Sequence, residues 1–299
     1  MSKSSKAPVF VERQFPGKVT YRSVSILSKI VDKFSEYNLL ERAKASPFKQ
    51  FFLAPTMKFS GLLIHQILLR KIPSEDYELR FLISGQTLRF GIGEFALITG
   101  LECGKGPNKT QYAEVTNSRR LLKDYLNDED SISSIKLENA FANCTEAEDV
   151  WKLGLCYLVD AFIFGQEPKN KIFMDMLSFV ENEAFFFSYP WGRICFENTI
   201  RGLNKSPESL ENLYKGQLKK KGKTAAAAQY TVYGYPLALQ YWAFEAIPKI
   251  GAIICDQKQR LFPRMLSWEW KRKPSTNEIA EIFRRKNVSS LCIGCMIFI

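Results

Sequence analysis

The chain has 299 residues, with 42 Lys+Arg against 31 Asp+Glu, one His and seven Cys. Its 46% hydrophobic and 24% charged residues are ordinary globular values, which excludes wholesale disorder, a collagen-like repeat and a disulfide scaffold. An odd, dispersed set of cysteines and a basic start, MSKSSKAPVF, with no apolar leader predict a reducing, intracellular setting. The longest apolar runs, around Leu153–Val159 and Ala184–Phe187, fall far short of the roughly 20 residues of a membrane span, so no membrane partner is expected. In chain order, Val24, Leu27, Ile30, Val31 and Phe34 recur at three- and four-residue steps and predict an amphipathic helix over Tyr21–Tyr37. A second helix covers Leu39–Phe52, interrupted at Pro47, and Phe59–Ile72 reads as a buried helix stopped by Pro73. Glu78–Phe90 alternates around a Ser84-Gly85-Gln86 break, which predicts a β-hairpin. Gly93–Thr99 is a short helix that Gly100 closes.

Beyond residue 100 the pattern is helical again. Asn117 or Ser118 caps a helix over Arg119–Leu126, and Thr145-Glu146-Ala147-Glu148 forms a capping box before a helix over Glu146–Phe164. Lys171–Val180, Gly192–Leu203, Tyr235–Ile247 and Asn277–Lys286 are further helices. The segment Asn204–Gln229, rich in Lys, Ser, Gly and Ala, reads as a mobile basic loop. The expectation is one globular, mainly α domain with one or two small β-hairpins. Its parts are a basic flexible N-terminus (1–17), the domain proper (18–287, with the loop at 204–229) and an apolar tail (288–299). That tail follows a charged helix and reads as the product of a missed splice or shifted frame, which transcript sequencing tests.

Most motifs dissolve on inspection. Gly91-Ile92-Gly93-Glu94-Phe95-Ala96 fits a dinucleotide fingerprint, but the helix it opens ends at Gly100 and a loop follows where a second parallel strand is required. Gly222-Lys223-Thr224 resembles the end of a P-loop, but the glycine needed at 217 is Gln217, and Glu208–Tyr214 before it is polar and helical. Nucleophilic catalysis by Ser or Cys needs a histidine base, and His65 lies in the middle of an apolar helix, where a satisfied core histidine is the expectation. Cys292-Ile293-Gly294-Cys295 is a lone pair in apolar surroundings, so neither zinc nor another metal is expected. The carboxylates of Asp128–Asp130 and Glu146–Asp149 suit helix starts and polar loops. No catalytic residue and no cofactor is assigned.

Charge is the feature left over. Residues 1–100 carry 15 basic against 8 acidic groups, 101–200 carry 10 against 16, and 201–299 carry 17 against 7. The basic clusters are Arg119 with Arg120; Lys219, Lys220, Lys221 and Lys223; Lys271, Arg272 and Lys273; and Arg284, Arg285 and Lys286. The last three clusters are the candidate contacts for DNA or RNA phosphates, and the last two are spaced like a bipartite nuclear-import signal. Trp268 and Trp270 are candidates for stacking on bases.

Five stretches are familiar together: LRFLISGQTLRFGIGEFALITGL (79–101), Tyr157–Gly165, AFFFSYPWGRICF (184–196), GYPLALQYWAFEAIPKI (234–250) and FPRMLSW (262–268). They resemble the plant domain of unknown function numbered nineteen eighty-five, a relative of the plant mobile domain, over most of residues 20–275. The resemblance implies a transposon-derived nuclear protein of flowering plants and an association with a SUMO-removing, ubiquitin-like protease domain. That protease domain's His, Asp, Gln and Cys pattern is absent from this sequence. No catalytic residue is established for the family, so none is carried over. The expected function is a non-catalytic, nuclear interaction module that binds nucleic acid or protein through its basic C-terminal third. The alternative is an auxiliary domain, nuclear or cytoplasmic, that positions a ubiquitin-like protease or another nuclear protein without touching nucleic acid.

Overall fold

A computed structural model describes residues 13–22 and 24–284. The first half runs β1 (Gly17–Thr20), α1 (Val24–Glu36), α2 (Leu40–Ala45), α3 (Lys49–Leu53), α4 (Gly61–Leu68), β2 (Lys71–Ile72), β3 (Leu79–Ile83), β4 (Gln86–Phe90), α5 (Ile92–Thr99), α6 (Lys109–Val115), α7 (Arg120–Tyr125) and α8 (Ser134–Asn143). Next come α9 (Ala147–Tyr157), a π-helical turn (Leu158–Ile163), α10 (Met176–Phe179), α11 (Glu183–Ser188), α12 (Trp191–Leu203) and α13 (Pro207–Lys221). The remainder is β5 (Ala228–Thr231), α14 (Leu237–Ala246), α15 (Pro248–Ile254), β6 (Cys255–Gln257), a 3₁₀ turn (Arg264–Ser267), β7 (Trp268–Trp270) and α16 (Thr276–Arg284). The single α-rich globular fold expected from the sequence is the one observed.

Three small sheets are set among the helices. Strands β2, β3 and β4 form an antiparallel sheet, β6 and β7 a second antiparallel pair, and β1 lies parallel to β5. The β3–β4 hairpin is built as its alternation predicts: Leu79, Phe81 and Ile83 are buried on one face, and Ser84 and Gly85 take left-handed φ values of 52° and 81° at the turn. That face packs on α14, where the Trp242 ring lies 5.4 Å from Phe81 and 5.8 Å from Phe90. Phe95 of α5 meets Phe196 of α12 at 5.5 Å, and Phe34 of α1 meets Trp151 of α9 at 5.3 Å. These contacts belong to one continuous hydrophobic cluster, so burial of aromatic area is the main force joining the helices.

Several expectations need correction. Residues 13–17 are no flexible terminus: Phe15 is buried and stacks on Tyr214 at 5.1 Å, Arg13 pairs with Glu208 and Glu211, and Gly17 starts β1. The segment 204–229 is largely the helix α13. Ser206 accepts the Ser209 amide at 3.1 Å, Pro207 occupies the first turn, and Gly222 ends the helix at φ 72°. Glu208–Tyr214 is helical as read, but only Pro207 and Leu210 of α13 are buried, so the apolar stripe is too thin to extend that reading to Lys221.

The expected capping box is absent, because α9 starts at Ala147 with no side-chain cap and its axial bonding widens to a π-turn at Leu158. Lys171–Val180 forms only the short α10, and the predicted helix over Phe59–Ile72 stops at Leu68 so that Lys71 and Ile72 can pair with Phe81 and Arg80. Arg285, Lys286 and the 288–299 tail lie outside the described residues.

Candidate nucleic-acid interface

Helix α13 positions the first candidate cluster. Its final turn carries Lys219, Lys220 and Lys221, and Lys223 follows directly after the Gly222 cap. All four are exposed, and none has an ion pair or side-chain hydrogen bond among the described residues. Lysines there complement the negative end of the helix dipole, worth about 0.3–1 kcal/mol each. That effect explains one or two lysines and leaves the run's excess charge uncompensated. Nearer the start of the helix, by contrast, Lys215 is neutralised by Glu211 at 2.6 Å.

The parallel pairing of β1 with β5 adds a residue that the sequence reading missed. Lys18 pairs in register with Gln229, six residues after Lys223. Lys18 and Gln229 are both exposed, and Lys18 has no acidic partner among the described residues. Two short strands separated by more than 200 residues give no local signal, so only the folded chain reveals this neighbour. On the same strand as Gln229, Tyr230 receives the Lys205 ammonium 5.8 Å from its ring centroid.

The C-terminal candidates are arranged differently. Lys271 pairs with Asp256 at 3.0 Å, and Arg272 makes a fork to both carboxylate oxygens of Glu278 at 2.6 and 3.1 Å. That fork, with the Ser275 amide, pulls the Glu278 carboxyl down to about 2. Arg284 donates to the Gln14 side chain at 3.2 Å, and only Lys273 of the described members lacks a partner. Between the two import-like clusters, Thr276–Arg284 is helical. Arg119 and Arg120 are likewise committed to Asp128, Asp130, Asp124, Asp149 and Glu181. Trp268 is buried, with its indole N–H donating to Glu245 at 2.8 Å, so it offers no stacking platform.

His65 and three of the cysteines are occupied structurally. His65 is fully buried, with Nε2 2.9 Å from the Phe15 carbonyl and Nδ1 3.0 Å from the Tyr230 hydroxyl. Burial pushes the Cys103 thiol up to about 11 and raises Cys156 and Cys195 well above the ordinary range, so these three carry no thiolate at neutral pH. Among the described residues no group of three His, Cys, Asp or Glu side chains could hold a metal ion. No described helix is long and apolar enough to cross a membrane. The glycines of the fingerprint-like stretch serve the fold: Gly91 precedes α5, its amide bonded to Glu94 at 2.8 Å, and among the described residues no strand runs parallel to β4.

A second surface feature is a groove of about 930 Å³ between α5, the 101–105 loop and the α11–α12 corner. Leu97, Phe187, Tyr189 and Phe262 give it an apolar lining, to which Arg89 and Lys105 add positive charge. Phe262 is 67% exposed, although its neighbours are tied down: Pro263 is buried and Leu261 exchanges two bonds with the Ser267 hydroxyl.

With the fold and these surfaces established, comparison with known proteins adds one finding. No curated protein and no solved structure matches this chain. Residues 68–202, from the end of α4 through most of α12, match the family model of a domain of unknown function, DUF1985; the segment includes most of the groove and excludes the lysine run.

Proposed function

We propose that the protein is a non-catalytic interaction module that binds DNA or RNA phosphates through the basic end of α13. The observation that carries this reading is the contrast among the basic clusters. Lys219, Lys220, Lys221 and Lys223 are exposed and uncompensated, as is Lys18 on β1, while Lys271, Arg272 and Arg284 are engaged within the fold. A net charge of +11 supports the same reading by drawing polyanions to the surface. Contacts from flexible lysines to phosphate oxygens give salt-sensitive binding without base readout. The nuclear location, plant origin and transposon descent that the family resemblance implies belong to this proposal.

The experiment is a titration of the full chain with single- and double-stranded DNA and RNA at about 50 and about 200 mM salt. The reading expects affinity to weaken about tenfold or more between the two. Absence of binding at the lower salt overturns it. The groove supports a second reading, an auxiliary domain that docks a protein such as a ubiquitin-like protease. Its supporting observation is the exposed Phe262 beside an apolar lining that lies mostly within the matched segment. Pull-down of such a protease domain by the native chain and its loss in Phe262→Ser would favour that reading.

A further inference from the structure

The one histidine in the chain sits where three elements meet. His65 is in the last turn of α4 and its ring is walled by β1 and β5. The Phe15 carbonyl can only accept, so Nε2 carries the proton toward it at 2.9 Å, and Nδ1 accepts from the Tyr230 hydroxyl at 3.0 Å. The backbone of Gly17 lies against the same ring: a Cβ there would stand 2.2 Å from Nδ1. Phe15 closes the other side, edge-on to the imidazole at 5.4 Å and stacked on Tyr214 of α13 at 5.1 Å. Outside this latch, residues 13–20 are held by the Arg13 pairs to Glu208 and Glu211 and by the β1–β5 ladder, whose ends are Ala228 N–H to Pro16 O and Val232 N–H to Thr20 O.

We propose that His65 is an acid-operated latch: its neutral ring fastens residues 13–20 to α4 and β5, and a proton on Nδ1 releases them. The charged and titratable groups around it favour release. In the turn just after its own helix Arg70, bound to Gln66 and lying 4.0 Å over the Phe283 ring, is a like charge. From β5 comes the neutral phenol of Tyr230, and β1 carries only Lys18, which points to solvent. Helix α16 brings Glu278, committed to Arg272, together with Glu281 and Arg284. Helix α14 brings Gln240, bound to the Ser60 amide, and Glu245, bound to Arg264. No carboxylate is among the ring's described hydrogen-bond partners.

Burial first, and then Arg70, lower the proton affinity of the ring, and the Phe15 carbonyl opposes them in part. The sign follows from linkage. A histidine whose affinity is lower in the closed form stabilises that form fully above its ordinary value near 6.5, and this contribution is lost as pH falls below it. Each pH unit below about 6.5 multiplies the opening equilibrium up to about tenfold, until the closed form itself takes the proton. Opening would release Lys18 from its place beside Gln229 on β5, the strand that follows the lysine end of α13. That consequence rests on the nucleic-acid reading above, whereas the latch is tested with no nucleic acid present, so the two can fail separately.

The test is amide hydrogen exchange of the full chain, expressed as protection factors, between about pH 7.5 and about pH 5. Protection of Ala228 and Val232 should fall by about tenfold or more while amides of α9 keep theirs, and His65→Gln should show no such fall. Because the chain has one imidazole, its NMR signal is assigned without ambiguity and serves if His65→Gln does not fold. A ring that titrates at or above its ordinary value with unchanged strand protection overturns the latch. So does pH-independent protection of β1 and β5 in the native chain.

Discussion

The segment matching the family model and the helix that follows it are built on opposite principles. Within 68–202 close approach decides the structure. Gly192 donates its amide to the Glu102 carbonyl at 2.8 Å, and a Cβ on Gly192 would stand 2.6 Å from that same oxygen and 2.8 Å from Leu101 Cβ. Its aromatic residues interlock, with Tyr189 and Trp191 centroids 4.6 Å apart and Phe179 4.9 Å from both Phe185 and Tyr189. Helix α13 rests on the molecule through Pro207, Leu210 and Tyr214, and its far end is solvated lysine. Tightly constrained neighbours specify a fold, whereas the exposed lysine end of α13, with spare charge, is free to meet a partner.

Glycine substitutions break this comparison most sharply. Gly192→Ala must push α12 away from the 101–103 backbone, and we expect a loss on the order of 3 kcal/mol or failure to fold, read by denaturant unfolding. The same change at Gly216 in α13 meets nothing within 4 Å and should stabilise by about 0.5–1 kcal/mol through helix propensity. Equal effects at the two sites would contradict the contrast.

Asp160 probes the packed region by titration. It lies buried in the π-turn, and burial, opposed in part by the Ser134 side chain, raises its carboxyl to about 7. The unfolded chain ionises this group near 4, so the wild type loses stability as pH rises from about 4 to about 7. Asp160→Asn should not show that loss and should be the more stable protein at about pH 8, by an amount on the order of 2–4 kcal/mol. Parallel stability curves for the two proteins across that range would refute the buried-acid account.

The smallest stability effect belongs to the lysines. Replacing Lys219, Lys220, Lys221 and Lys223 together by Gln loses helix-dipole attraction but relieves repulsion among four like charges, and should shift stability by less than about 1 kcal/mol net. A cooperative loss of structure in thermal unfolding would show that these side chains serve the fold after all.

Legibility in the sequence follows the same division. The hairpin over Leu79–Phe90, helix α5 and its left-handed Gly100 cap at φ 66° are each set by local pattern and were readable from it. So were α1 and α12, whose apolar faces repeat at helical spacing. Helix α13 is legible only in its first half, Glu208–Tyr214, because its lysine-rich second half has the composition of a solvated loop. Strands β1 and β5, four residues each, exist only because distant segments meet over His65, so no window of sequence contains the information that pairs them. The same holds for charge: the positions of Lys271 and Arg272 are plain in the sequence, but their partners Asp256 and Glu278 are known only once β6, β7 and α16 are folded.

The most direct test of the central claim compares the salt dependence of nucleic-acid binding by the native chain and by the Lys219/Lys220/Lys221/Lys223→Gln variant. If those lysines neutralise phosphates, the slope of log affinity against log salt becomes shallower by about 3 in the variant, and affinity at about 50 mM salt drops at least tenfold. A correctly folded variant that binds with unchanged affinity and slope would contradict the account and leave the Phe262 groove as the working surface.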